Sequence, residues 1–135
     1  MFDLSVVERF PMKMTTTTRQ IDFVTIVDIS GQIVLGEECI SLRNLISDLL
    51  NSGHNQILLN LAGVNCIDSA GFAYLIGSLV SVRKQRGDLK LLNPTKRVLA
   101  VLQLFKLHTV FDVREDEAAA IRSFGQSAAA TATAG

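Results

Sequence analysis

The chain switches between two hydrophobic periods. Met12 to Gln20 holds four consecutive threonines on a polar stretch, which suits a half-exposed strand, and Ile21 to Ile29 fills with Phe23, Val24, Ile26, Val27 and Ile29, as a more buried neighbour would. Ser30-Gly31 is expected to end it, and the two strands to pair antiparallel through a tight turn near Gln20 to Asp22. From Glu37 the spacing changes: Leu42, Leu45, Ile46 and Leu49 stand at i, i+3, i+4 and i+7 with Arg43, Asn44, Ser47 and Asp48 opposite, and Ser52-Gly53 supplies the stop. Gln56 to Leu61 is apolar on both faces, so it belongs in the middle of a sheet.

A second helix runs from Ser69 to about Arg86, with Phe72, Leu75, Ile76, Leu79 and Val82 as its apolar stripe. Its other side shows Ala70, Ala73, Tyr74, Gly77, Ser78 and Ser81, which are mostly small. Gly77 inside a helix costs roughly 1 kcal/mol relative to alanine, a cost explained if another backbone approaches, either a partner's or that of this chain's own first or third helix. Leu89 to Leu92 is a short strand closed by Asn93-Pro94. Thr95 caps Lys96 to Lys106, where Val98, Val101, Leu102 and Phe105 form a buried stripe; Leu99 and Leu104 are left for a wide groove contact or a small exposed apolar surface. Val110 to Val113 reads as a last strand, and Glu115-Asp116-Glu117 puts negative charge on the first turn of a last helix ending near Phe124. The order predicts a single α/β domain with a mixed sheet of four to five strands, parallel in its later part, and about four helices mainly on one face. Residues 1–11, with Phe2, Leu4 and Val6 ahead of Pro11, read as an arm or edge strand, and residues 125–135 as a disordered tail of small residues.

Composition adds exclusions. With 135 residues, 48% of them hydrophobic, the chain can build one core. Thirteen basic residues balance thirteen acidic ones, so neither a nucleic-acid footprint nor a polybasic membrane patch is expected. Cys39 and Cys66 lack metal spacing and read as small buried hydrophobes in a reducing compartment. Asp3, Glu8 and Arg9 break up the N-terminal apolar residues and no later run reaches spanning length, so the chain is expected to be soluble and cytoplasmic. No repeat has a fixed period.

Candidate chemistry narrows to one turn. Asp68-Ser69 lies between an apolar strand and a long helix, where orphan N–H groups and the helix dipole let the serine oxygen cap the helix and tolerate an added phosphate. Capping alone, worth roughly 1 kcal/mol, also accounts for the pair. A nucleophile elbow would need glycine two positions either side of the serine; Gly71 fits and Ile67 does not. His54 and His108 read as loop residues, and neither metal-ligand spacing nor a phosphate-cradling loop occurs, so no catalysis, metal or cofactor is expected.

The run Cys66-Ile67-Asp68-Ser69-Ala70-Gly71-Phe72, preceded by Ile57 to Leu61, resembles the signature of STAS domains, in particular the bacterial anti-sigma factor antagonists. The similarity extends over Val24 to Ile33, Gly87 to Pro94, Val98 to Leu102 and Leu107 to Phe111, and thus over a STAS-like domain at about residues 12–124. The resemblance implies a protein that binds an anti-sigma factor doubling as an ATPase-fold serine kinase, with phosphorylation of Ser69 switching it off and a phosphatase restoring it. Asp68 would position the acceptor and Gly71 permit close approach; Ala70, Phe72, Ala73, Tyr74, Gly77, Ser78 and Ser81 are the candidate partner-binding residues. A monomer or weak dimer is expected. The chain departs from the pattern at Val34, where many phosphorylatable members carry aspartate, and at Gln32, which replaces the usual acid; both bear on kinase recognition. The alternatives are a STAS subunit of a lipid-transport complex or stress scaffold that docks without phosphorylation and, last, a serine hydrolase.

Overall fold

The computed structural model describes residues 13–124, so the expected N-terminal arm and C-terminal tail lie outside the described residues. Five strands form one sheet in sequential order, β1 (Met14–Ile21), β2 (Val24–Ile33), β3 (Gln56–Ile67), β4 (Asp88–Leu92) and β5 (Val113–Arg114). The first pair is antiparallel and the other three are parallel. Helices α1 (Glu37–Asn51), α2 (Ser69–Lys84) and α3 (Lys96–Leu104) fill the three parallel crossovers, a 3-10 turn follows at Leu107–Thr109, and α4 covers residues 117–124.

The side-chain period of two divides the strands between two cores. Val27, Ile29, Ile57, Leu59, Leu89 and Leu91 meet Leu42 and Ile46 of α1, Leu75 and Leu79 of α2, and Val98 and Leu102 of α3. Alternate residues, Val24, Ile26, Leu58 and Leu92, turn the other way beneath Ala120 and Phe124 of α4. In a sheet with sequential strand order, right-handed crossovers all land on one face, which is why α1 to α3 share a side and α4 sits alone opposite.

Several boundaries differ from the sequence expectation. The hairpin turns at Asp22-Phe23, with Asp22 left-handed at φ 55°. β2 does not stop at Ser30-Gly31 but continues to Ile33 through two irregularities in its register with β3. At Gly31 φ is 104° and a Cβ would lie 2.1 Å from the Lys13 carbonyl oxygen, so the glycine bends the strand without ending it. β3 likewise runs past Leu61 to Ile67. Helix α3 ends at Leu104, and the left-handed turn at Lys106 leaves Phe105 66% exposed instead of in the buried stripe, beside Leu104 at 73%. Leu99 packs at the core edge. The last strand falls at Val113–Arg114, because Phe111 is a buried anchor and not a ladder residue. Cys39 is buried, which pushes its thiol pKa up, whereas Cys66 is only half-buried.

Two charge clusters fasten α4 to its face of the sheet. Arg19 of β1 donates to both Asp28 oxygens, at 2.7 and 3.1 Å, and to Glu117 of α4, while Asn60 donates to Asp28 at 2.7 Å. At the far end Lys90, only 2% exposed, donates to Ser123 at 2.8 Å, pairs with Asp112 at 3.1 Å and lies 4.8 Å from the Phe124 ring centre. Asp116 accepts from Ala119 N at 2.8 Å as the cap.

Hydrogen bonds from Arg19 hold the pKa values of Asp28 and Glu117 below the usual carboxylate range; burial pushes Asp112 up, but bonds from Arg114 and Lys90 outweigh it. A lowered folded-state pKa gives stability that is complete above the unfolded value, near 4 for these side chains, and is lost as pH falls through the folded value. The urea midpoint is therefore expected to fall below about pH 4, by a modest amount because water screens these part-exposed pairs. Arg19→Met should flatten that fall, leaving the share that belongs to Asp112; an unchanged acid slope in the variant would remove Arg19 as the cause.

Candidate functional site

β3 projects beyond β4, which pairs only with Gln56 to Asn60, and carries the chain to the head of α2. There Asp68, extended at φ −88° and ψ −179°, caps the helix through Gly71 N to its Oδ1 at 2.8 Å. Its second oxygen accepts from Leu35 N at 3.0 Å, and its own N–H donates to the Ile33 carbonyl at 3.3 Å. The cap is thus the aspartate and not the serine: a carboxylate one residue outside the helix reaches the third N–H, and Ser69 becomes the first helical residue with its side chain exposed.

Gly71 sets the spacing between this turn and the end of β2. A Cβ there would lie 2.2 Å from the Ile33 carbonyl oxygen and 2.8 Å from Ile67 Cγ2. The close approach that Gly71 permits is therefore that of the chain's own backbone. Gln32 pairs with Cys66 in the sheet and Val34 is half-buried beside Leu35, so both departures from the family pattern sit on the segment clamped to the Ser69 turn.

The small face of α2 opens on a groove of about 760 Å³ whose other wall is α1. Ala73, Tyr74, Gly77, Ser78 and Ser81 line it; Phe72, 6% exposed, points into the core, and Ala70 packs at the core edge one turn closer to Ser69. A Cβ on Gly77 would meet nothing within 4 Å, so neither neighbouring helix accounts for the glycine. Arg43, read from sequence as part of a solvated face, lies 5.9 Å from the Tyr74 ring centre and forms the opposite wall of the groove; only its place in a polar stripe with Ser47 hinted at this. Leu35 and Ile33 touch the site through backbone atoms, for which side-chain patterns carry no signal.

His54, whose Nδ1 lies 3.3 Å from Gln20 Nε2, is exposed just before β3, and the 12 residues of that strand separate it from Ser69. His108 is exposed in the 3-10 turn. Among the described residues no group of three or more His, Cys, Asp or Glu side chains could hold a metal ion, and no helix is long and apolar enough to cross a membrane.

The family model for the STAS domain matches residues 15–120. The chain belongs to the STAS family. No curated protein matches it by sequence. Among solved structures, TM1081 from Thermotoga maritima, described as an anti-sigma factor antagonist, is 24% identical, with 81% of this chain and 93% of that one covered and a TM-score of 0.73. An anti-sigma factor antagonist from Mycobacterium paratuberculosis is 18% identical, covers 82% and 93%, and scores 0.70. The Bacillus cell fate determinant SpoIIAA in its phosphorylated form is 20% identical, covers 81% and 99%, and scores 0.63. At these identities the likeness is one of fold, that of a single α/β domain with a five-stranded mixed sheet.

Proposed function

We propose that the chain is a cytoplasmic anti-sigma factor antagonist, a binding protein and not an enzyme, that is switched by phosphorylation of Ser69. The carrying observation is an exposed serine at the first position of α2, immediately after a capping aspartate, in a chain of the STAS family. The unmodified form binds an anti-sigma factor that is also a serine kinase and so frees a sigma factor. That kinase moves the γ-phosphoryl of ATP to Ser69 Oγ: the new Oγ–P bond replaces the bond to ADP, and the hydroxyl proton leaves to a base on the kinase. A phosphatase returns the hydroxyl by hydrolysis. SpoIIAA, an antagonist of the same fold, has been solved in unphosphorylated and phosphorylated forms, which supports the reading.

Both oxygens of Asp68 are held by backbone N–H groups, which fixes the turn that presents Ser69. Incubation with the anti-sigma kinase and ATP is expected to add a single phosphate, located by peptide mapping, and Ser69→Ala to abolish it. Undiminished labelling of the alanine variant would reject Ser69 as the acceptor.

A further inference from the structure

The groove between α1 and α2 carries three observations that the phosphorylation switch leaves unused. Gly77 stands in open space at its wall. Arg43 is the one formally charged residue among the twelve that line it. Ser78 is 7% exposed, and its hydroxyl has no hydrogen-bond partner among the described residues. No fully enclosed side-chain oxygen among the described residues lacks a partner, so the Ser78 oxygen keeps access to solvent, and the residue lines the groove, where a hydroxyl can donate and accept.

Shape and charge select the occupant. The α2 wall from Ala73 to Gln85 is about 18 Å long at 1.5 Å per residue, an open trough and not an enclosed cavity. Ile46 and Leu50 supply an apolar floor, and Gly77 lets a second backbone come near. Arg43 lies over Tyr74 and keeps a planar fork of donors, the geometry that suits a carboxylate. The trough begins one turn beyond Ser69 and Ala70, so whatever covers the serine reaches it without a break.

We propose that this groove receives a helix of the same partner that reads Ser69, with a carboxylate on that helix paired to Arg43 and a polar group bonded to Ser78. The inference rests on the partner-switching reading and adds a second contact to it. Phosphorylation acts at the head of α2, while the groove supplies the standing part of the affinity along its length.

The test is calorimetric titration of the full chain with the purified anti-sigma kinase of the same cell, using wild type, Gly77→Leu, Arg43→Glu and Ser69→Glu. Gly77→Leu fills the trough, and because leucine is the better helix former and its Cβ meets nothing, its melting temperature should equal or exceed that of wild type. Gly77→Leu and Arg43→Glu are each expected to weaken binding at least about tenfold. If only Ser69→Glu weakens binding, the groove proposal is overturned and the switch stands. If the two groove variants weaken it and Ser69→Glu does not, the groove stands and the switch is overturned. Wild type that fails to bind overturns both.

Discussion

Alanine at position 71 is expected to cost the domain about 2–3 kcal/mol, the upper part of the range for overpacking a closed site. A Cβ at Gly71 would stand 2.2 Å from the Ile33 carbonyl oxygen and 2.8 Å from Ile67 Cγ2, and neither obstacle is the loose end of a flexible side chain. Ile33 is fixed by its pairing with Ile67, and its carbonyl also accepts from Asp68 N. Relief must therefore come from moving α2 away from the sheet, which lengthens the bonds from Gly71 N and Leu35 N to the Asp68 carboxylate together. A chemical-denaturation midpoint measures the loss, and amide exchange at Leu35 and Gly71 should speed up before the rest of the domain opens. A Gly71→Ala chain as stable as wild type would mean that the turn is more yielding than its contacts indicate.

The second large effect concerns affinity. A phosphate on Ser69 adds a charge of about −1.5 to −2 one residue from the Asp68 carboxylate. In the free chain the cost is small, because the side chain is exposed and the head of α2 carries the positive end of its dipole. Beneath a partner the same charge would be stripped of water next to a like charge, at a cost of several kcal/mol. A loss of about 3 kcal/mol already weakens binding more than a hundredfold. Ser69→Glu, with one charge and a different shape, should reproduce part of this, and the stability of either form should differ little from that of the unmodified chain.

The two side-chain periods made the fold legible. Alternation at Val24 to Ile29 and the two-sided run Gln56 to Leu61 marked the inner strands, and the three helical stripes between strands dictated a parallel sheet with α1 to α3 on one face. Boundaries were harder to see where backbone geometry decides them. Ala62, Gly63 and Asn65 look like a loop, yet they continue β3 because β2 bends with them through its own glycine. Lys106 takes a left-handed conformation usually left to glycine or asparagine, so nothing in the residue type warned that Phe105 would turn outward. Lys90 hid inside an apolar run because its partners, Asp112 and Ser123, lie far along the chain. At the site, Asp68 and Ser69 are both good caps, and only the three-dimensional turn assigns capping to the acid and exposure to the hydroxyl.

The central claim is that one exposed hydroxyl at the head of α2 governs whether a partner can bind. Its most direct test is the dissociation constant of the anti-sigma kinase for this chain, unmodified and stoichiometrically phosphorylated on Ser69, at equal salt and nucleotide. A weakening of more than about a hundredfold on phosphorylation is predicted. Equal affinities for the two forms would contradict the account.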